Sequence, residues 1–518
     1  MNLPEAGAII RSPRGRKRTA HHIESIAQKT MPQIPLRARL PLSFYAVFAA
    51  LCVLSSHASA IVRLPAVISD HMVLQRAERV PVWGWAEPGE QVSVQMGDQL
   101  RRTRAGQDGR WQVELDLRAH PAKPASVAVR GENSNIVVVE DVLVGEVWLA
   151  SGQSNMAKPI GEKSGERPVL NAEAEIAAAE FPEIRLFKVA RKKSSRPGAD
   201  VVGEWVRCSP SSIDKIKFSA AAYFFGQHLH KTLKTPVGLI DATWGGTRID
   251  PWTPAAASGA AAARVDAPDA DAAHLFNAMV APLAPAAIKG VIWYQGESNI
   301  VDGEDAALYA GKMDALVSGW RRHWQADFAF YYVQLAPHFY HLVRRNKVID
   351  PQALPRLREA QADALRIPGT GMIVTTDLAD DLYDIHPRDK KSIGLRLANL
   401  ALSRTYERSD VAAFGPVFKS IKFEADRAVL TFDHAEGLAA RDRKDLSWFD
   451  IAGPDGRYFH GLATIEDNKV VVKSPNVPVP VAVRFGWDEA AQPNLINQSG
   501  LPAMPFRSQR PAAAGGQR

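Results

Sequence analysis

The chain has 518 residues, enough for several domains of about 100–200 residues each. With 46% apolar and 23% charged residues it has ordinary globular usage, which excludes wholesale disorder and a fibrous repeat. The formal charge of +7 sits at the N-terminus: residues 1–60 hold eight Lys/Arg and two Asp/Glu, leaving 55 basic and 54 acidic residues, so no nucleic-acid partner is expected.

Residues 1–60 read as a leader. Arg37 and Arg39 precede an apolar stretch from Leu40 to Leu54, followed by Ala58-Ser59-Ala60. This is the pattern of an export signal, with cleavage expected after Ala60 and Met31 as an alternative start. The apolar run is shorter than the roughly 20 residues of a membrane span, so a retained anchor is the lesser reading and no membrane association is expected after cleavage. The mature chain keeps one cysteine, Cys208, which excludes an internal disulfide and reads as structural. A periplasmic or extracellular location follows.

Residues 61–142 predict an antiparallel β-sandwich-like domain, from short alternating runs such as Gln91–Val94 and Trp111–Leu115 between Gly, Pro and Asp turns. From 143 to 408 the texture changes. Apolar runs at Val144–Ala150, Val237–Ile240, Lys289–Tyr294, Phe328–Val333 and Gly371–Thr376 predict buried parallel strands. Helical patterns at Phe218–Lys234, Glu304–Trp324, Leu354–Leu365 and Lys390–Leu402 lie between or after them, as in an α/β fold with helices on both faces of the sheet. Residues 409–507 return to strand-like alternation as a C-terminal β domain, and 508–518 read as a disordered tail. Arg191–Ala199 reads as a surface insertion, and Ala255–Ala273 as a surface excursion in preference to a lid.

Ligands of open α/β sheets bind beyond the carboxyl ends of the strands, so the residues after each apolar run carry the chemistry. After the first comes Ser151-Gly152-Gln153-Ser154-Asn155-Met156, a serine in a Gly-containing turn heading a helix. Its spacing fails the G-x-S-x-G elbow, against an α/β-hydrolase of that type. After the second comes Trp244-Gly245-Gly246-Thr247-Arg248, where a glycine N–H is a candidate oxyanion donor and Arg248 a candidate substrate grip. After the third comes Gln295-Gly296-Glu297-Ser298-Asn299: Asn299 and Gln295 both qualify as an amide donor, and Glu297 reads as an orienting acid at the substrate site. After the last comes His386, with Asp377, Asp380, Asp381 and Asp384 before it. Serine, histidine, acid and oxyanion donors are the parts of acyl transfer. No cofactor is called for, and no second histidine stands at zinc-ligand spacing.

The segments Gly145–Met156, Trp244–Ile249, Val291–Asn299 and Asp384–Pro387 closely resemble the sialate O-acetylesterase family of SGNH-type hydrolases. The likeness extends to Ser69–Arg76 and to Asn494–Arg507, and so spans nearly the whole mature chain. The resemblance implies a flavodoxin-like core flanked by β domains, releasing acetate from O-acetylated sugars without a metal. It implies Ser154 as nucleophile, His386 as general base, and an oxyanion hole of the Ser154 N–H, Gly246 (or Gly245) and Asn299 (or Gln295). The wider SGNH pattern places the acid three residues before the histidine, where this chain has Tyr383; Asp384, two before, is preferred to Asp381, five before. Competing readings are an acetylesterase of plant polysaccharide such as xylan, a non-catalytic carbohydrate-binding protein, and a lipase or thioesterase. Oligomeric state is not legible.

Overall fold

The structure is a computed structural model describing residues 61–121, 123–163, 165–258, 273–343 and 348–509. The leader, most of the alanine-rich stretch and most of the tail lie outside the described residues.

The organising element is one long strand, β1 (Ile136–Gly152). It is followed by β2 (Phe181–Lys188), β3 (Trp205–Cys208), β4 (Val237–Thr243), β5 (Gly290–Tyr294), β6 (Ala329–Val333) and β7 (Thr370–Ile373). Their order in the sheet is β7-β6-β5-β1-β4-β2-β3. All neighbours are parallel except the antiparallel β2–β3 edge pair. Every residue of β4 and β5 is buried, which explains why these strands read as unbroken apolar runs. Helices Ala220–Leu233 and Lys390–Arg404 pack together on one another, and Gly394 makes that possible: a Cβ there would lie 2.5 Å from Phe224 Cβ and 2.8 Å from the Ala221 carbonyl.

β1 also belongs to the N-terminal region. Its first residues pair antiparallel with Ala125–Gly131, and Val73–Gln75 pairs parallel with Leu143–Gly145. The composition change at 142/143 therefore falls inside a strand. The C-terminal region has its own core, including Leu430, Phe449, Val472 and Phe485, between antiparallel sheets. It ties back to the central unit through the His338 N–H to the Glu489 carbonyl (3.0 Å) and Arg507 Nε to Glu359 (2.8 Å).

β2 and the edge strand β3 were not among the sequence-predicted strands. β2 reads Phe-Pro-Glu-Ile-Arg-Leu-Phe-Lys, with a proline and charges where a strand pattern wants alternation. Its Arg185 is buried and binds Asp141 on β1 at 2.6 Å. Asp141 also lies 2.7 Å from His71 Nδ1 and accepts from Arg207 Nε at 2.8 Å. Cys208 is buried in β3, its Sγ 3.5 Å from the Ala179 carbonyl, and burial pushes its thiol up to about 12. That is the structural role expected of it. No helix among the described residues is long and apolar enough to cross a membrane.

Burial would raise the Asp141 carboxyl, but its bonds to Arg185, His71 and Arg207 hold it well below the usual carboxylate range. Its stabilisation is therefore full above the ordinary carboxylate value and lost as pH falls below it. Asp141→Ala is expected to destabilise the protein by roughly 2–4 kcal/mol, because Arg185 stays buried without its partner. Urea unfolding at neutral pH reads this difference, which shrinks as pH is lowered below about 4.

Candidate active site

Strand register sets the site. In the sheet, Gly152 at the end of β1 stands opposite Thr243 of β4 and Tyr294 of β5. β4 and β5 flank β1 on opposite sides, so this is the switch point of the sheet. The three motif-bearing loops therefore leave the same edge at the same level.

Gly152 has φ +132, a conformation glycine tolerates, and a side chain there would collide with the Tyr294 carbonyl. The turn is pinned by Gln153, whose N–H donates to the Tyr294 carbonyl at 3.0 Å. The Gln153 Oε1 accepts from Gln295 Nε2 (3.1 Å) and from the Ser298 N–H (3.1 Å). Ser154 then opens the short helix Ser154–Ala157 and is partly exposed. Trp244 donates its N–H to the Gly152 carbonyl at 3.0 Å, bringing Gly245 against the serine. A Cβ at Gly245 would lie 3.2 Å from Ser154 Cβ, whereas left-handed Gly246 (φ +73) borders open space.

The two amide candidates differ. Gln295 is buried, and its Nε2 faces three acceptors: Gln153 Oε1, the Thr247 carbonyl (3.1 Å) and Asn299 Oδ1 (2.7 Å). With two hydrogens for three acceptors, it has none to spare. Asn299 gives one amide hydrogen to Glu304 at 2.5 Å, and no described residue takes the other. Arg248 is partly exposed, with Nε 3.8 Å from Asp250 and 3.9 Å from Asp302. Glu297 points inward: it is buried, and burial pushes its carboxyl up.

His386 arrives on the loop after β7. Its own N–H donates to Asp384 Oδ1 at 2.9 Å, and its ring Nδ1 stands 3.5 Å from the same oxygen. Asp384 Oδ2 accepts from Arg167 at 3.0 Å, and Arg167 also holds Asp381 at 3.2 Å. Burial pushes the His386 imidazole down to about 4; Glu166 and Asp384 oppose this, and Lys390 and Lys158 reinforce it. The ring is therefore neutral at physiological pH, as a general base must be. Its Nε2 is screened from solvent and has no hydrogen-bond partner.

Serine and histidine segments are joined by Asn155. Its Nδ2 donates to the Ile385 carbonyl at 2.9 Å and also to Glu297 Oε1. Its Oδ1 accepts from Lys390 Nζ at 2.6 Å. Lys390 is buried, and burial pushes its ammonium down to about 7. Asn155 thus touches the residue before His386 while adjoining Ser154 itself. Sequence reading quoted Asn155 and placed Lys390 in a helix without giving either a role, and it passed over Lys158 and Glu166. The spacing of Lys390 four residues after His386, at a helix start, was the available signal.

Asn155→Ala removes the shared partner of Lys390, Glu297 and Ile385. It is expected to lower kcat at least tenfold and to cost about 1–3 kcal/mol of stability, from buried polar groups left unpaired. Steady-state kinetics and a thermal melt on the same preparation read both.

With this geometry in place, comparisons with known proteins are informative. The family described as carbohydrate esterase, sialic acid-specific acetylesterase, matches residues 144–403, half of the chain. The sialate O-acetylesterase of Homo sapiens is 29% identical over 498 residues, covering 86% of this chain and 92% of that protein. That of Pongo abelii is 29% identical with the same coverage. The crystal structure of a carbohydrate acetylesterase from Xanthomonas citri superposes with a TM-score of 0.78 at 35% identity, covering 87% of this chain and 100% of that one. The chain belongs to the sialic acid-specific acetylesterase family of carbohydrate esterases and is a carboxylic-ester hydrolase.

Proposed function

We propose that this chain is an exported serine esterase that releases acetate from O-acetylated sugars, with Ser154 as nucleophile and His386 as general base. The observation that carries this reading is the Asn155 bond to the Ile385 carbonyl, which fastens the histidine loop to the residue beside Ser154. In the first half-reaction Ser154 Oγ attacks the acetyl carbonyl carbon while His386 Nε2 takes its proton. The oxyanion accepts from the Ser154 N–H, the Gly246 N–H and Asn299 Nδ2. Asn299 is chosen over Gln295 because only Asn299 has an uncommitted amide hydrogen.

Collapse expels the sugar hydroxyl, which takes the proton back from the imidazolium. Water then attacks the acetyl-serine with His386 again as base, and acetate leaves. Asp384 orients the ring; it serves the backbone N–H and Arg167 as well, so its hold on Nδ1 tightens only when the ring is charged.

The acetyl carrier we favour is an O-acetylated sialic acid, in line with the sialate O-acetylesterases that this chain matches. We assign the grip on its carboxylate to Arg248, because this side chain is partly exposed and only loosely paired. The basic, apolar and Ala-Ser-Ala parts of the leader support export to the periplasm or medium. N-terminal sequencing of the secreted protein is expected to begin at Ile61.

Acetate release is measured with 9-O-acetylated sialic acid, acetylated xylan and a long-chain aryl ester. Ser154→Ala is expected to abolish release, and Asn299→Ala to lower kcat about 10²- to 10³-fold with the fold intact. Preference for xylan would reassign the sugar, and preference for the aryl ester would favour a lipase. Glycan binding that survives Ser154→Ala, with no release by the unaltered chain, would make it a binding protein. Because His386 must be neutral, kcat/KM is expected to fall as pH drops through about 4, below the ordinary imidazole value.

A further inference from the structure

Residues 165–170 run alongside the histidine loop. Arg388 Nε donates to the Pro168 carbonyl at 2.9 Å, and the Leu170 N–H donates to the Arg388 carbonyl at 3.2 Å. Arg167 grips Asp384, the acid beside His386. The residue before it, Glu166, faces the same buried cluster. Its Oε2 is screened from solvent, has no hydrogen bond and stands 3.5 Å from the ammonium of buried Lys158. Its Oε1 meets Lys163 at 3.3 Å. His386 Nε2 is likewise screened and without a hydrogen bond, so this oxygen has only its ion pair with Lys158 and the imidazole nitrogen has no bonded partner. Buried polar atoms without a partner are uncommon in folded proteins and mark places where a charge or proton is awaited.

We propose that Glu166 is a positioning residue for the general base, a second carboxylate that steadies the His386 imidazolium when Asp384 alone does not suffice. This rests on the reading of His386 as the base. Asp384 is divided between the His386 backbone, the His386 ring and Arg167. The charged groups acting on the ring are Glu166 and Lys158, Lys390 from the following helix and Asp384 from its own loop. Lys163 in turn meets Glu166, and Arg167 meets Asp384 and Asp381. When Nε2 takes the Ser154 proton, Lys158 and Lys390 oppose the new positive charge. Glu166 and Asp384 are the carboxylates that favour it. It takes no proton itself; the proton stays on Nε2 until the leaving oxygen accepts it.

The test is the pH profile of kcat/KM for acetate release from about pH 3 to 8, for the unaltered chain, Glu166→Gln and Glu166→Asp. Glu166→Gln is expected to move the acid limb to lower pH, because a carboxylate that favours imidazolium is gone, and to lower the plateau about tenfold or more. Glu166→Asp is expected to place the limb between the two. Thermal melts accompany both; if Glu166→Gln does not fold, the Glu166→Asp limb decides, and no shift there overturns the proposal. A purely structural Glu166 would lower the plateau with the limb unmoved, and that result overturns it as well. Ser154→Ala and His386→Ala serve as controls. If either retains activity the base assignment fails; if both are inactive and the Glu166→Gln limb stands still, the Glu166 proposal alone fails.

Discussion

The site depends on one buried side chain amide. Asn155 sits between a lysine and a glutamate that are both removed from water, accepting from Lys390 and donating to Glu297. Without it, an ammonium and a carboxyl would face each other across a low-dielectric gap with their hydrogen-bonding capacity unmet, an arrangement that costs more than it returns. Because the same amide also reaches the Ile385 carbonyl, satisfying the charges and fastening the histidine loop are one event. The loop has few regular hydrogen bonds of its own. Its order comes from this anchor, from Arg388 on Pro168, and from Gln492 on the Ala379 carbonyl at 2.6 Å.

The charged cluster follows from that anchor. Lys390 is pushed towards neutrality by burial and lies 5.0 Å from the Tyr294 ring, so it is held by an aromatic face as well as by Asn155. Lys158 is buried with Glu166 as its carboxylate. Burial depresses the neighbouring imidazole most, and the two lysines reinforce it. The carboxylates Asp384 and Glu166 act the other way and limit how far the imidazole is depressed.

How much of this was legible in sequence depended on whether the constraint was local. The runs Val144–Ala150 of β1, Val237–Ile240 of β4 and the strand β5 were readable because burial on both faces leaves mostly apolar residues along them. Ser154, Gly245, Gly246, Asn299 and His386 drew attention because each follows an apolar run, at the strand ends where ligands of open α/β sheets bind. The choice between Gln295 and Asn299 was not readable, since it depends on three acceptors, two of them on distant loops. β2 was hidden by Arg185, whose charge is cancelled by Asp141, a residue 44 positions earlier. Glu166 was hidden for the same reason: it lies in an aperiodic loop, and its meaning comes from a histidine more than 200 residues away.

The shared strand β1 carries this logic beyond the core. Its first half is hydrogen-bonded into the N-terminal antiparallel sheet and its last half into the parallel sheet, so the position of Gly152 is fixed by both. Gln75 shows the coupling at single-residue scale. Its Oε1 accepts from the Val147 N–H at 2.8 Å, and its Nε2 donates to Glu146 at 3.0 Å, which in turn accepts from Tyr406 at the far side of the core. The register that brings Gly152 level with Thr243 and Tyr294 is set along the same strand. A shift of one residue there would exchange the faces of β1 and turn its buried side chains outward. The β region in front of the catalytic core is therefore part of what places the serine.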